Sequence, residues 1–267
     1  MKTYVSVLRL RLLNGMQYKV AAIAGVATQF FWGFMLIMVY VAFYSHSTAP
    51  PPMTLSQVVN YIWLQQALLA LVALWIRDPE LLELITTGNI AYELCRPCDL
   101  YGFWYAKLLA QRLSNAMLRS FPILIIGLLL PQPYRFSLPP DITHLCLFLI
   151  AMTLGVLILV AVSMFIYISV FYTMSPMGSL LLFAVIGEFF SGLVIPIPLM
   201  PAWVQTLADF LPFRWTVDFP FRVYSGEIGM EKAWLGLGIQ VLWLGFLIVL
   251  GRRWFQHSVT KTVVQGG

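Results

Sequence analysis

Charge is what this sequence has least of. Lys, Arg, Asp and Glu make up 10% of its 267 residues, while 60% are hydrophobic and the mean hydropathy is +0.84. A typical soluble domain is about 25% charged. So low a charged fraction argues against a disordered chain and against a soluble globular enzyme, and it leaves an integral membrane protein. Cysteine is scarce as well: of three in all, Cys95 and Cys98 form a lone C-x-x-C and Cys146 lies in an apolar run. Structural zinc asks for four ligands, so no metal centre is expected. The three histidines, His46, His144 and His257, are far apart along the chain. There is no G-x-x-x-x-G-K-[ST], no H-E-x-x-H and no G-x-S-x-G. The chain is thus expected to bind no nucleotide through a P-loop and to carry no catalytic residues or cofactor of its own.

What it has is apolar length. A helical span needs about 20 largely apolar residues, and six stretches qualify as spans: 20–44, 58–76, 110–130, 144–172, 180–194 and 233–251. An even number puts both termini on one side. Of the 16 Lys and Arg residues, all but Arg135, Arg214, Arg222 and Lys232 fall in the N-terminal segment, in the connection after the second span with the start of the third, or in the C-terminal tail. By the positive-inside rule that side is cytoplasmic. The net charge of +5 reads as a basic surface facing anionic lipid rather than a nucleic-acid site. Tyr4, Val5, Leu8, Leu12 and Met16 share one helical face, which predicts an amphipathic interfacial helix over residues 1–19. No repeat is visible, so residues 1–267 read as a single transmembrane domain.

Two connections stand out. Residues 77–107 hold five acids: Asp78, Glu80, Glu83, Glu93 and Asp99. Asp78 before Pro79 predicts a helix N-cap with proline in the first turn, and Gly88-Asn89 predicts its end. A second short helix follows and stops at Arg96-Pro97. Residues 195–232 contain Pro196, Pro198, Pro201, Pro212 and Pro220 among aromatics that include Trp203, Phe213 and Trp215. That stretch is too apolar for a free loop and too broken for one span, so a re-entrant pair of short helices on the outer side is expected. Asp209, Arg214, Asp218 and Arg222 are placed there to pair.

Polar residues also dot the spans. Arg119 falls about 18 Å below the outer end of the third span at 1.5 Å per residue. A buried arginine costs at least about 2.5–3.5 kcal/mol on insertion scales. It either pairs with Glu188, an acid in the fifth span, or snorkels to the interface. Asn60, Gln65 and Gln66 in the second span serve either helix-to-helix hydrogen bonds or the lining of a translocation path.

The layout and one local motif resemble a known family. Residues 87–97 read T-G-N-I-A-Y-E-L-C-R-P, similar to an (S/T)G-x-I-x-x-x-L-x-RP pattern in a bacterial branch of the permeases of type-2 ABC exporters, the ABC-2 family. Ser191-Gly192-Leu193 to Pro201, followed by Leu211-Pro212-Phe213, is similar to that family's outer re-entrant segment. The resemblance implies an all-α integral membrane fold: six transmembrane helices, an N-terminal interfacial helix, a coupling helix between spans two and three, and a re-entrant outer segment between spans five and six. It also implies the transmembrane permease subunit of an ATP-driven exporter in a bacterial cytoplasmic membrane, moving an amphiphilic or hydrophobic substrate outward. Its partners would be two copies of a P-loop ABC ATPase subunit, which carry the ATP and Mg, and a second permease subunit of the same or a homologous chain. Asp78, Glu80, Glu83, Glu93, Arg96, Pro97 and Asp99 would then couple to the ATPase. Pro196, Pro198, Pro201, Trp203 and Phe213 would form an outer gate. The alternatives are an ion-coupled secondary transporter, which would want paired intramembrane carboxylates and often inverted repeats, and a membrane assembly factor without transport.

Overall fold

The protein is seen in a computed structural model that describes residues 6, 19–47, 50–95 and 97–260. All regular structure among the described residues is helical. The helices are α1 (Lys19–His46), α2 (Leu55–Val72), α3 (Pro79–Thr86), α4 (Ile90–Leu94), α5 (Leu100–Leu129), α6 (Ile142–Thr173), α7 (Pro176–Ser191), α8 (Ala202–Asp209), α9 (Asp218–Tyr224) and α10 (Met230–Thr260), with single 3-10 turns at Ile197–Leu199 and Arg214–Thr216. Five of them, α1, α2, α5, α6 and α10, are long and apolar enough to cross a membrane. The chain is an all-helical, multi-pass membrane protein.

Local sequence explains most of the element ends. Thr54 and Gln57 form a reciprocal capping box at the start of α2. Asp78 caps α3 by accepting from the backbone N–H groups of Glu80 at 3.0 Å and Leu81 at 3.3 Å, with Pro79 in the first turn as expected. Gly88 takes a left-handed φ of 75° between α3 and α4, a conformation that glycine reaches without steric cost. Asp141 caps α6 through the N–H of His144.

Four spans differ from their expected bounds by more than two residues, the sixth because α10 runs on to Thr260, past the expected 251. The second helix stops at Val72, because Ala73 turns extended (ψ 132°) and the next residues are held by side chains of other helices. The third begins at Leu100, ahead of the expected 110, because the polar turns Lys107–Gln111–Arg112 are packed against protein and continue the helix. The fifth, α7, has 16 residues, about 24 Å of helix, which is short for a full crossing of about 30 Å. The expected interfacial helix over 1–19 lies outside the described residues, save for Ser6 and Lys19.

Helix α6 is the centre of the bundle. It packs most extensively on α10, and α2 does so on α5; α1 lies against α2 and α5, and α7 and α9 lie against α6. Trp63, Trp104, Tyr61 and Phe221 are its largest fully buried side chains. Inside a bilayer such packing gains dispersion and complementary shape rather than the aqueous hydrophobic effect.

Candidate functional site

Two polar centres are built where the helical backbone breaks. The first lies between α2 and α3. Past Val72 the carbonyls at the end of α2 have no helical partners. Arg112 of α5 fills that need: its guanidinium donates to the carbonyls of Leu71 (3.1 Å) and Ala73 (2.7 Å) and to the Ser163 hydroxyl (3.0 Å) on α6. Gln111 donates to the Arg77 carbonyl. The N–H of Asp78 donates to the Tyr167 hydroxyl at 2.7 Å. Lys107 lies 2.8 Å from Glu80 and 3.7 Å from Asp78. Gly187 of α7 packs against the Leu74 side chain, and the neighbouring Glu188 has one carboxyl oxygen buried without a hydrogen-bond partner among the described residues. Residues 73–78 are thus clamped by α5, α6 and α7 together.

The second centre belongs to the proline-broken segment after α7. Asp218, at the start of α9, is fully buried. One carboxylate oxygen accepts from the Ile197 N–H (3.1 Å) and the Tyr61 hydroxyl (3.4 Å). The other accepts from Arg222 (3.1 Å), and Arg214 Nε lies 3.5 Å from it without hydrogen-bond geometry. Arg222 also makes a two-pronged pair with Glu227, at 2.6 and 3.0 Å, and Arg214 pairs with Asp209. The expected pairing of Asp209, Arg214, Asp218 and Arg222 is therefore present. Asp218 is buried, Arg214 and Arg222 are half-buried and Asp209 is exposed.

The same segment reaches well down the bundle. A Cβ placed on Gly155 would come within 2.6 Å of the Thr216 carbonyl oxygen, and Gly155 lies about 20 Å along α6 from Ile142. Gln240 donates to the carbonyls of Trp215 (2.7 Å) and Ala151 (2.9 Å). Phe213 packs against Gly187. Only a glycine at 155 lets the backbone come so close.

The residues singled out by sequence fall into three groups. In α2, Asn60 accepts from the Ser137 N–H at 2.7 Å, Gln65 donates to the Leu193 carbonyl, and Gln66 is buried against Gly33. The first two tie loops, rather than other helices, to α2. No ion pair joins Arg119 to Glu188; Arg119 sits against Gly25 of α1 in a small pocket shared with Asn115 and Gln29. In the outer segment Pro196, Pro198 and Phe213 are buried, whereas Pro201 and Trp203 are exposed. In the α3–α4 connection Asp78 and Glu93 are buried, and Glu80, Glu83, Pro97 and Asp99 are exposed. Asp99 pairs with Arg252 at 2.8 Å. Arg96 lies outside the described residues.

From sequence, Arg112 and Lys107 count only toward the charge distribution and the polar half of the third span, and Tyr61, Tyr167 and Gln240 are given no role. The usable signal was on α5, where Arg112, Asn115 and Arg119 follow i, i+3, i+7 spacing and so share one face. Tyr61 and Tyr167 carried no such signal, since a tyrosine in a span reads as an ordinary packing residue. No family model and no curated protein sequence matches the chain.

Proposed function

We propose that this chain is the transmembrane permease subunit of an ATP-driven exporter of the ABC-2 type, whose motor is a separate P-loop ATPase. The observation that carries the reading is the α3–α4 connection. Leu81, Leu82, Ile85 and Ile90 bury one side of it against the bundle, while Glu80, Glu83, Tyr92 and Leu94 remain on the outside. A solvated loop needs no such anchoring. Two short helices fixed to α5 through Lys107 and to α6 through the bond from Asp78 to Tyr167 can pass a push from a docked protein into two helices at once.

In this reading α7 completes six spans, and both termini and α3–α4 face the cytoplasm of a bacterial cell. The docking face is Glu80, Glu83, Tyr92, Pro97 and Asp99, with Arg96 contributing a fork suited to a partner carboxylate. Asp78 and Glu93 act from inside, by holding the connection in place. Two ATPase copies would bind ATP and Mg and work on a pair of permease chains, this one with a copy of itself or a homologue. Closure of the ATPases would move α5–α7 and release the segment from Pro196 to Phe213 as the outer gate. An apolar, aromatic outer segment suits an amphiphilic substrate better than a free ion. The lack of a paired intramembrane carboxylate among the described residues counts against ion-coupled transport.

The test is purification of the complex from its native membrane in mild detergent, with mass spectrometry of what accompanies this chain. A stoichiometric P-loop ATPase supports the proposal, and a second six-span chain beside it makes the permease pair heteromeric. Absence of any ATPase across several detergents, with no ATP hydrolysis, refutes it. Arg96→Glu is expected to leave the chain inserted while abolishing substrate-stimulated ATP hydrolysis. Unchanged stimulation removes Arg96 from the coupling contact.

A further inference from the structure

Two arginines lie two turns apart on one face of α5, and their surroundings differ sharply. Arg112 is buried and donates three hydrogen bonds. Arg119 has neither an ion pair nor a hydrogen bond among the described residues. Its guanidinium rests on Gly25, where an added Cβ would meet Cζ at 3.0 Å and both Nε and Nη1 at 3.1 Å. From that seat it faces a cavity of about 210 Å³ between α1, α2 and α5, bordered by Gln29, Leu69, Ala70, Trp75, Ile76 and Asn115.

The cavity is polar at the heart of an apolar region. Gln29 is 7% exposed, and its buried amide oxygen has no hydrogen-bond partner. Asn115 brings a second amide. Trp75, 47% exposed, stands at the rim. At about 30 Å³ per water, the space holds a group the size of several waters. An arginine on a membrane-length helix, facing a cavity and without a counter-ion among the described residues, marks a candidate functional site. Its five fixed N–H donors match an oxyanion. Gln29, by contrast, offers an acceptor, so a complementary ligand carries a donor beside its negative charge, as the P–OH of a phosphate monoester does. The site lies near the α3 end of α2, and α1 and α5 expose apolar side chains, Ile23, Met117 and Phe121 among them.

We propose that this pocket binds the phosphate head group of an anionic amphiphile, with Arg119 as the anchoring cation, Asn115 and Gln29 as its neutral partners, and Gly25 as the seat that sets the guanidinium in place. The ligand is a phosphate ester held from the leaflet on the α3 side. The inference does not depend on a motor docking to the chain, since it concerns binding alone.

The experiment is native mass spectrometry of the purified full chain titrated with dioleoyl phosphatidic acid, with dioleoylglycerol as the probe lacking phosphate. Wild type and Arg253→Gln, an exposed cation elsewhere, are expected to retain phosphatidic acid equally and dioleoylglycerol weakly. Arg119→Gln and Gly25→Val are expected to weaken phosphatidic acid at least tenfold. Arg119→Lys, which keeps the charge and loses the fork, falls between and serves if the glutamine variant does not fold. Displacement by millimolar inorganic phosphate assigns the pocket to a soluble phosphate group, and resistance to it assigns the pocket to lipid; either outcome upholds phosphate recognition. Equal retention of phosphatidic acid by wild type, Arg119→Gln and Gly25→Val, all monodisperse and equally helical, overturns the proposal. So does equal retention of dioleoylglycerol.

Discussion

Asp218→Asn removes one charge and almost no volume, and it isolates what the buried network contributes. The carboxylate accepts from the Ile197 N–H, the Tyr61 hydroxyl and Arg222, with Arg214 close by. An asparagine has one acceptor oxygen and one NH2 group. Whichever way it turns, donors face donors, either toward the arginine or toward the Ile197 N–H. Breaking a buried ion pair from one side costs about 3–5 kcal/mol. Here the two arginines keep other partners, Glu227 for Arg222 and Asp209 for Arg214, which places the loss at the lower end, about 3 kcal/mol. At 2–4 °C per kcal/mol for a chain of this size, the melting temperature falls by about 6–12 °C. Cys95, Cys98 and Cys146 are exposed in the folded protein, so a thiol-reactive dye reports nothing useful. Circular dichroism or tryptophan fluorescence in detergent is the proper readout. A double-mutant cycle with Arg222→Gln should show a coupling above about 1 kcal/mol. A shift below 2 °C with no coupling would refute the view that this network holds the segment in place.

Arg112→Leu leaves the carbonyls of Leu71 and Ala73 without their donor, at about 1–3 kcal/mol each, partly offset by removing a buried charge. A net loss of about 2 kcal/mol is expected, with faster amide exchange at 73–78 as its local signature. Gly155→Ala drives a methyl into the Thr216 backbone and should cost about 1–3 kcal/mol as overpacking, with increased protease cleavage within 210–217. Gly178→Ala, where a Cβ meets open space, is the matched control and should change neither. Asp141 accepts from the His144 N–H and lies beside its ring, which holds its carboxyl below the usual aspartate range. A depressed pKa contributes stability that is present above the unfolded value, near 3.9, and is lost as pH falls through the folded one. Asp141→Asn keeps an acceptor at the cap, so exchange at the start of α6 should lose its acid dependence below about pH 4.

Much of this protein was legible in the sequence because it depends on neighbours a few residues away. Asp78-Pro79 and Gly88-Asn89 delimit α3 through caps that a helix end requires wherever it sits. The apolar runs fix five long helices, because a membrane asks only for length and lack of charge. The clustering of five prolines between 195 and 232 announced a segment that could be neither a span nor a loop. Partners were another matter. Arg112 and Arg119 look alike in sequence and lie on one face of α5, yet one closes the broken end of α2 and the other faces an open pocket. That difference arises because α2 unwinds at Ala73 beside the first and Gly25 of α1 lies beside the second. Likewise the proximity of Arg119 and Glu188 was a fair expectation from hydropathy, since two opposite charges in apolar surroundings attract. In the structure the two do not pair, and one Glu188 carboxyl oxygen is buried without a hydrogen bond among the described residues. Sequence alone determined the helices, their caps and the chemistry available to each. Only the tertiary structure decided which polar groups meet, because backbone freed at breaks competes with side chains for the same partners, and where those breaks face one another depends on how all the helices pack.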